Sequence, residues 1–445
     1  MPSSMSGLLL RPWHCPCEER VKMSARVGRR PVVVRSERGL ALVLTLFVVA
    51  LVAILVLEYH FDAAVEIDIA NNYANDVQAY HLALAGVRFA QALLQRTDPK
   101  AHGQDDSWYK LGLVPACFSP QQLIDLAATS LGEGQTLESA DSKALNERRP
   151  LDTRAGDSGC VSLRITDENS KLPINALMPP TNDENQQPPA IWVSVFQKFF
   201  ESFKIDPDVV DALVDWIDDG DNARGTGGAE KAHYTSLPIP YEPPNKRMRT
   251  PGELRLIKGL DDPETLAKLF PGAPPESVTD LDLGSNSYLT PFGAEQPLQV
   301  QPPPQQPLPP GRPRTPPAQP PPAGNQTAKV NLNTAPAEVI KALFAGAVPE
   351  RGSTDAEVEE LVAKRQDKKL KSLNDAVSDQ NLRTKLGQVA DVKSTHFRIE
   401  SVGVVGVVQK RIVAVLKPYG AQQSSPAGAQ PAPVNRTTML YFKVE

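Results

Sequence analysis

Histidine and cysteine are scarce in this chain, with six and four among 445 residues, and the scarcity removes most catalytic and redox assignments. The histidines stand far apart, and no Ser/His/Asp, Cys/His or HExxH arrangement with supporting context occurs. No enzyme is expected. Charge of one sign is also lacking: 47 Lys and Arg against 52 Asp and Glu give a net charge of -5, which exerts no global pull on nucleic acid or acidic lipid. Cys15 and Cys17 fall in a basic N-terminal leader and match no motif, so Cys117 and Cys160 are the only cysteines beyond it. One pair in an oxidising compartment can close as a disulfide, and two buried free thiols are the alternative that spacing leaves open. Long apolar runs are equally rare, because there is one.

That run opens at Ser36-Glu37-Arg38-Gly39-Leu40-Ala41-Leu42-Val43-Leu44 and continues to Leu57. About 18 uncharged residues suffice to cross a bilayer core as a helix. The small-x-small pattern of a secretory signal should follow the apolar core, but Val56-Leu57-Glu58-Tyr59-His60 follows it instead. The junction resembles a prepilin processing site, cut between Gly39 and Leu40, with an uncleaved signal anchor as the alternative. Arg29, Arg30, Arg35 and Arg38 against Glu58, Asp62, Glu66 and Asp68 place the N-terminal side in the cytoplasm either way.

Helical spacing persists beyond the apolar run. Residues 58–96 contain no Pro and only Gly86, and Ala64, Ile67, Ala70, Val77, Leu82, Ala85, Phe89, Ala92 and Leu93 mark a stripe expected to pack on a sheet of the same molecule. A helix of about 57 residues would be roughly 85 Å long. A short helix is expected at Pro120–Ala127. Cys160–Thr166 and Lys171–Asn175 read as a hairpin around Asp167-Glu168-Asn169-Ser170, His396–Gly403 and Val407–Val415 as a second, and Met439–Val444 as a last strand.

Between the hairpins the period is helical, with helices expected at Trp192–Phe203, Asp206–Asp218, Pro251–Lys258, Pro263–Phe270, Ala335–Phe344, Ser353–Arg365 and Ser372–Ser378. The reading is an α+β fold: a long N-terminal helix on a small antiparallel sheet, interrupted by a large all-α insertion. The boundaries expected are a leader over 1–39, a membrane part over 40–57, a sheet domain over 58–184 and 395–445, and the insertion over 185–394. Many of the 43 prolines concentrate in 296–323, an exposed loop of polyproline character that cannot build a core. Residues 418–434 read as a second linker.

Two stretches of the insertion bear on binding. Asp211, Asp215 and Asp218 are spaced by four and three, so one helix face presents three carboxylates. Asp218, Asp219, Asp221 and Glu230 flank a Gly-rich turn, and hard oxygen ligands on such a loop suit Ca²⁺. Counted from Asp219, Ala223 and Arg224 occupy positions that an EF-hand needs as ligand and glycine, so it is not one. The residues alone leave calcium and a solvated acidic face, with Asp206 capping the helix, as equal alternatives. The second stretch, Val330-Asn331-Leu332-Asn333-Thr334-Ala335-Pro336-Ala337-Glu338, opens like a helix-hairpin-helix unit, with Thr334 placed as N-cap. Phe344-Ala345-Gly346-Ala347-Val348 supplies one glycine where phosphate-binding hairpins use a pair, and the cluster Lys364–Lys371 reads as a solvated surface, so nucleic acid is not the expected partner.

Arg38-Gly39-Leu40-Ala41-Leu42, Leu163-Arg164-Ile165-Thr166-Asp167-Glu168, Ile174-Asn175, Val210–Asp218, Glu253–Gly259 and Asn331–Ala335 together resemble the minor pseudopilin K family of bacterial type II secretion systems. The resemblance implies a pilin-like helix and sheet carrying a helix-hairpin-helix or SAM-like insertion, and calcium in that insertion with Asp218, Asp219, Asp221 and Glu230 as ligands. It implies a place at the pseudopilus tip with minor pseudopilins I and J and the other pseudopilins, processing and methylation by prepilin peptidase, and contact with the inner-membrane secretion platform. Most pilins carry Glu at the fifth mature position, where it neutralises a neighbour's α-amine. Here that position is Leu44, with Thr45 the nearest polar group, as suits a subunit with no neighbour above it. A membrane-anchored DNA-uptake receptor or competence pilin is the competing reading.

Overall fold

Helix α1 runs unbroken over Arg38–Arg96, 59 residues, because nothing in that stretch lacks a backbone donor and Thr97-Asp98-Pro99 follows it. The computed structural model describes residues 38–112, 116–131, 159–179, 187–271, 286–294, 328–351, 355–418 and 437–445. The leader to residue 37, the proline tract 296–323 and the run 419–434 lie outside them. The chain divides at Asp68 and Ile69 into two units. Of the first, the described part is the N-terminal portion of α1. Its apolar side chains from Leu40 to Leu57 are all exposed, and the helix is long and apolar enough to cross a membrane.

The second unit follows α1 with α2 (Ser107–Gly112), β1 (Cys117–Phe118), α3 (Pro120–Leu131) and β2 (Cys160–Asp167). Next come β3 (Leu172–Pro173), α4 (Ala190–Ser202), α5 (Val209–Ile217), α6 (Lys231–Thr235), a 3₁₀ turn over Pro251–Leu256, α7 (Pro263–Leu269), β4 (Leu289–Thr290) and β5 (Val330–Asn331). Then α8 (Ala337–Ala347), α9 (Asp355–Asp367), α10 (Leu373–Ala376), α11 (Gln380–Leu386) and β6 (Ala390–Asp391) lead to β7 (Phe397–Val405), β8 (Val408–Lys417) and β9 (Thr438–Val444). The main sheet has the order β1-β2-β7-β8-β9 with antiparallel neighbours. Everything between β2 and β7 is therefore inserted between adjacent strands. That insertion is helical apart from two short parallel pairings, β3 with β4 and β5 with β6. Cys117 and Cys160 are joined by a disulfide, with Cα atoms 5.4 Å apart.

Two cores result. In the sheet core, Ala83, Val87, Ala90 and Leu94 of α1 meet Leu163, Ile165, Phe397, Ile399 and Ile412, with Trp108 closing one end. The buried face of α1 is thus Ala79, Ala83, Gly86, Val87, Ala90 and Leu94, rotated from the stripe read from the sequence: Phe89 and Leu93 of that stripe pack half-buried against the core, while Ala85 and Ala92 are exposed. Close approach explains the difference: a Cβ on Gly403 would strike the Ala79 carbonyl, and one on Gly86 would strike Ser401. A helix lying this near a strand has room only for short side chains beneath it.

The expected hairpin of 160–175 does not form. β2 pairs instead with β7 across the insertion, from Cys160 opposite Val404 to Asp167 opposite Phe397. Its presumed turn residues are consumed elsewhere. The buried Asp167 carboxylate caps the following 3₁₀ turn through Asn169 N at 2.8 Å and accepts from Ser394 Oγ (2.5 Å), Thr334 Oγ1 (2.5 Å) and Asn331 Nδ2 (3.1 Å). Thr334 is accordingly not the N-cap of α8; Pro336 holds that position, and the Thr334 hydroxyl ties the insertion to the sheet. Glu168 is bound by Arg398 Nε at 2.5 Å, Lys171 Nζ at 2.9 Å and the Thr290 hydroxyl. Burial would raise the Glu168 pKa, but Arg398 and Lys171 outweigh it and hold it down at about 2, whereas at Asp167 burial wins and raises it.

Candidate functional site

Helix α5 is apolar nearly all round. Val209, Val210, Ala212, Leu213, Val214, Trp216 and Ile217 are all buried, and Asp215 is buried among them. No solvated acidic face exists there. The chain leaves α5 at Asp218 and folds back as a loop that reaches α6, whose Tyr234 ring packs against Trp216 at 5.3 Å. That contact sets Glu230, the residue before α6, beneath the end of α5. Gly225 adopts a positive φ of 45°, and a Cβ there would strike the Asp211 carboxylate, so the glycine lets the loop close over the acidic side chains. Asp206 accepts from Asp208 N at 3.0 Å, an Asx turn ahead of the helix, while the N-cap position belongs to Asp208.

Of the four carboxylates singled out in the sequence, Asp218 and Glu230 are buried, and Asp219 and Asp221 are exposed. Asp218 accepts from Gly220 N and Arg224 Nε, both at 3.0 Å. Asp215 Oδ2 accepts from Arg224 N (3.1 Å) and Ala229 N (2.8 Å). Its Oδ1 is buried without a hydrogen bond, 3.6 Å from Arg224 Nε, and both carboxylate oxygens of Glu230 are buried with no hydrogen-bond partner. Burial, then the Asp215, Asp218 and Asp221 charges, push Glu230 up to about 8. Burial likewise pushes Asp215 up to about 6 against the two backbone donors. Among the described residues, no group of three or more His, Cys, Asp or Glu side chains is arranged to hold a metal ion. Arg224 stands between Asp215 and Asp218 instead. The sequence reading places Asp215 on a carboxylate face but not among the ligands; its apolar neighbours Ala212, Leu213, Val214, Trp216 and Ile217 are the signal that marks it for burial.

The basic cluster does not present itself as a unit. Arg365 donates to the carbonyls of Leu332 and Ala335, both at 2.7 Å, and Lys369 pairs with Asp106 at 2.6 Å. These two cations serve the fold, while Lys364, Lys368 and Lys371 are exposed. In the first unit, Leu44 is exposed, and the Thr45 hydroxyl bonds back to the Leu42 carbonyl at 2.9 Å, which satisfies it within the helix.

Two family models, each describing type II secretion system protein K, match residues 170–272 and 330–397. Together these matches cover less than half of the chain, which in those stretches is similar to the type II secretion system protein K family. The matched stretches hold the carboxylate loop and, of the polar cluster that joins insertion to sheet, Asn331, Thr334 and Ser394, while Asp167, Glu168 and Arg398 fall just outside. Type II secretion system protein K of Pseudomonas aeruginosa is 26% identical over 229 residues, covering 50% of this chain and 58% of that protein. Its counterpart in Pectobacterium carotovorum subsp. carotovorum is 26% identical over 204 residues, covering 45% of this chain and 58% of that protein. The matches thus span under two thirds of either relative. A chain solved in the GspK-GspI-GspJ complex of the enterotoxigenic Escherichia coli type 2 secretion system overlays with a TM-score of 0.47 at 13% identity, covering 86% of this chain and 99% of that one. That likeness is too slight to bear on function.

Proposed function

We propose that the chain is a minor pseudopilin at the tip of the type II secretion pseudopilus, where with minor pseudopilins I and J it initiates assembly for export of folded proteins across the outer membrane. The observation that carries this reading is α1 itself: 59 continuous helical residues whose apolar first third is exposed throughout, in a chain similar over part of its length to the protein K family. Prepilin peptidase cuts between Gly39 and Leu40, and the new amine is methylated. Before assembly α1 anchors the chain in the inner membrane, with the second unit in the periplasm. Leu44 in place of an acidic residue leaves no carboxylate for the amine of a subunit above, which suits the tip. Thr45 needs no partner outside its own helix.

Calcium belongs to this proposal. Asp215, Asp218 and Glu230 would hold it from the buried side, with Asp219 and Asp221 supplied from the exposed loop. Orphaned buried carboxylate oxygens on a glycine-bearing loop are the donor set that fits a hard divalent cation. Bound there, Ca²⁺ supplies the positive charge that Glu230 otherwise lacks. The chain's own part is to desolvate the carboxylates, fix Asp215 through two backbone amides and draw the loop against α5.

Co-expression with minor pseudopilins I and J tests the assembly reading. A stable ternary complex on size exclusion is expected; a chain that elutes alone in the presence of both would contradict it.

A further inference from the structure

The loop that follows α5 carries a cation of its own into the carboxylates. Arg224 Nε and Nη2 each lie 3.0 Å from Asp218 Oδ2, and Nε lies 3.6 Å from Asp215 Oδ1. The guanidinium forms no hydrogen bond to Glu230, whose two carboxylate oxygens stay buried without a partner. It thus serves two of the three buried acids and leaves the third unserved.

Backbone and side chain of Arg224 are held differently. Its amide N donates to Asp215 Oδ2 at 3.1 Å, and its carbonyl accepts from Gly228 N at 2.9 Å. A Cβ on Gly228 would strike that carbonyl, that amide nitrogen and Asp215 Oδ2, so the glycine lets the backbone lock against α5. The side chain has an outlet instead. Nη1 donates to Gln187 Oε1 at 3.0 Å, and Gln187 is exposed. Rotation about the arginine's own torsions carries the guanidinium to water while both backbone bonds persist.

We infer that Arg224 is a displaceable counterion of this site: its guanidinium holds Asp215 and Asp218 until Ca²⁺ takes them, and it then swings out past Gln187 while the backbone of the loop stays in place. The inference rests on the calcium reading above. A divalent ion at about 2.3–2.6 Å from these carboxylate oxygens needs the lone pairs that the guanidinium uses, and it repels the guanidinium. Calcium also reaches what Arg224 does not, because its shell of about six to eight oxygens has room for Glu230. The arginine therefore lowers calcium affinity, since its bonds must be broken first, and steadies the loop where calcium is scarce.

The test is calorimetric titration of CaCl₂ into the full chain in detergent micelles, for the native, Arg224→Lys and Arg224→Gln proteins, with thermal melting of each in chelator. Arg224→Gln removes the charge, so it is expected to bind Ca²⁺ about tenfold or more tighter than the native chain and to melt at a lower temperature in chelator. Arg224→Lys keeps a cation but cannot bond Asp218 through two nitrogens, and its affinity should fall between the two. If Arg224→Gln does not fold, Arg224→Lys against the native chain decides. Opposite signs with and without calcium mark a displaced counterion, because a merely structural arginine would weaken both states when replaced. Equal or weaker binding by the variants would overturn the inference and leave the calcium site standing, with Arg224 as part of it. Binding by none of the three proteins would overturn the inference and the calcium reading together.

Discussion

Two groups of buried carboxylates lie within the same unit and behave oppositely. Asp167 and Glu168 sit where the insertion joins the sheet, and each of their acceptor groups is met by hydroxyl, amide, guanidinium or ammonium donors. Asp215, on α5, and Glu230, at the end of the loop that follows it, have three oxygens unmet. Burying a charge is costly in both places, but only the first is compensated by the chain itself. The contrast teaches that a satisfied cluster anchors the fold, whereas an unsatisfied one leaves the cost of its burial uncompensated.

Matched carboxylate-to-amide substitutions give the sharpest break between the two. Glu168→Gln takes the charge from the buried pair with Arg398 and should cost about 3–5 kcal/mol in chemical denaturation; a loss under 1 kcal/mol would dissolve the distinction. Acid should then reveal a neighbour of the anchor. His102 is buried, accepts from Ser394 N at 2.9 Å, and burial lowers its pKa from 6.5 to about 4. Its unfolded form takes a proton first, so the stability it contributes is complete above pH 6.5 and is lost, roughly 3 kcal/mol in all, as pH falls to 4. Denaturation measured across that window should show the slope, and His102→Gln should flatten it. For Glu168, held at about 2 against 4.5, the corresponding loss lies below pH 4.5.

At the unmet cluster, Ca²⁺ at a hundredfold excess over its dissociation constant should add about 2.7 kcal/mol to the unfolding free energy. Glu230→Gln should abolish that gain, and a melting temperature of the native chain unmoved by Ca²⁺ or chelator would contradict the site. The smallest effect belongs to Glu230→Gln without calcium, expected within about 1 kcal/mol, against the large cost at Glu168.

Much of this fold was legible in the sequence because its signals are local. The 59-residue helix, the β7–β8 hairpin, strand β9 and most helices of the insertion follow from periodicity and from Pro, Gly and capping residues. Pro251–Lys258 tightened to a 3₁₀ turn, and α2, α6 and α11 were too short to register. What failed was non-local. The partner of β2 lies more than 200 residues away, so Asp167-Glu168-Asn169-Ser170 looked like a turn when its side chains were reserved for Thr334, Ser394 and Arg398. The buried face of α1 was misread by a rotation, because the closest approach to the sheet is made at Gly86 and Ala79, positions that apolar periodicity does not mark. At the site the loop acids were legible as a cluster, but burial divided them, and Asp215 was brought in by a helix with no solvent face.

The intact mass of the chain purified from cells with active prepilin peptidase tests the central claim most directly. The account predicts a product beginning at Leu40 and carrying one methyl group on its amine. A product in which Leu40 is still joined to Gly39 would contradict it.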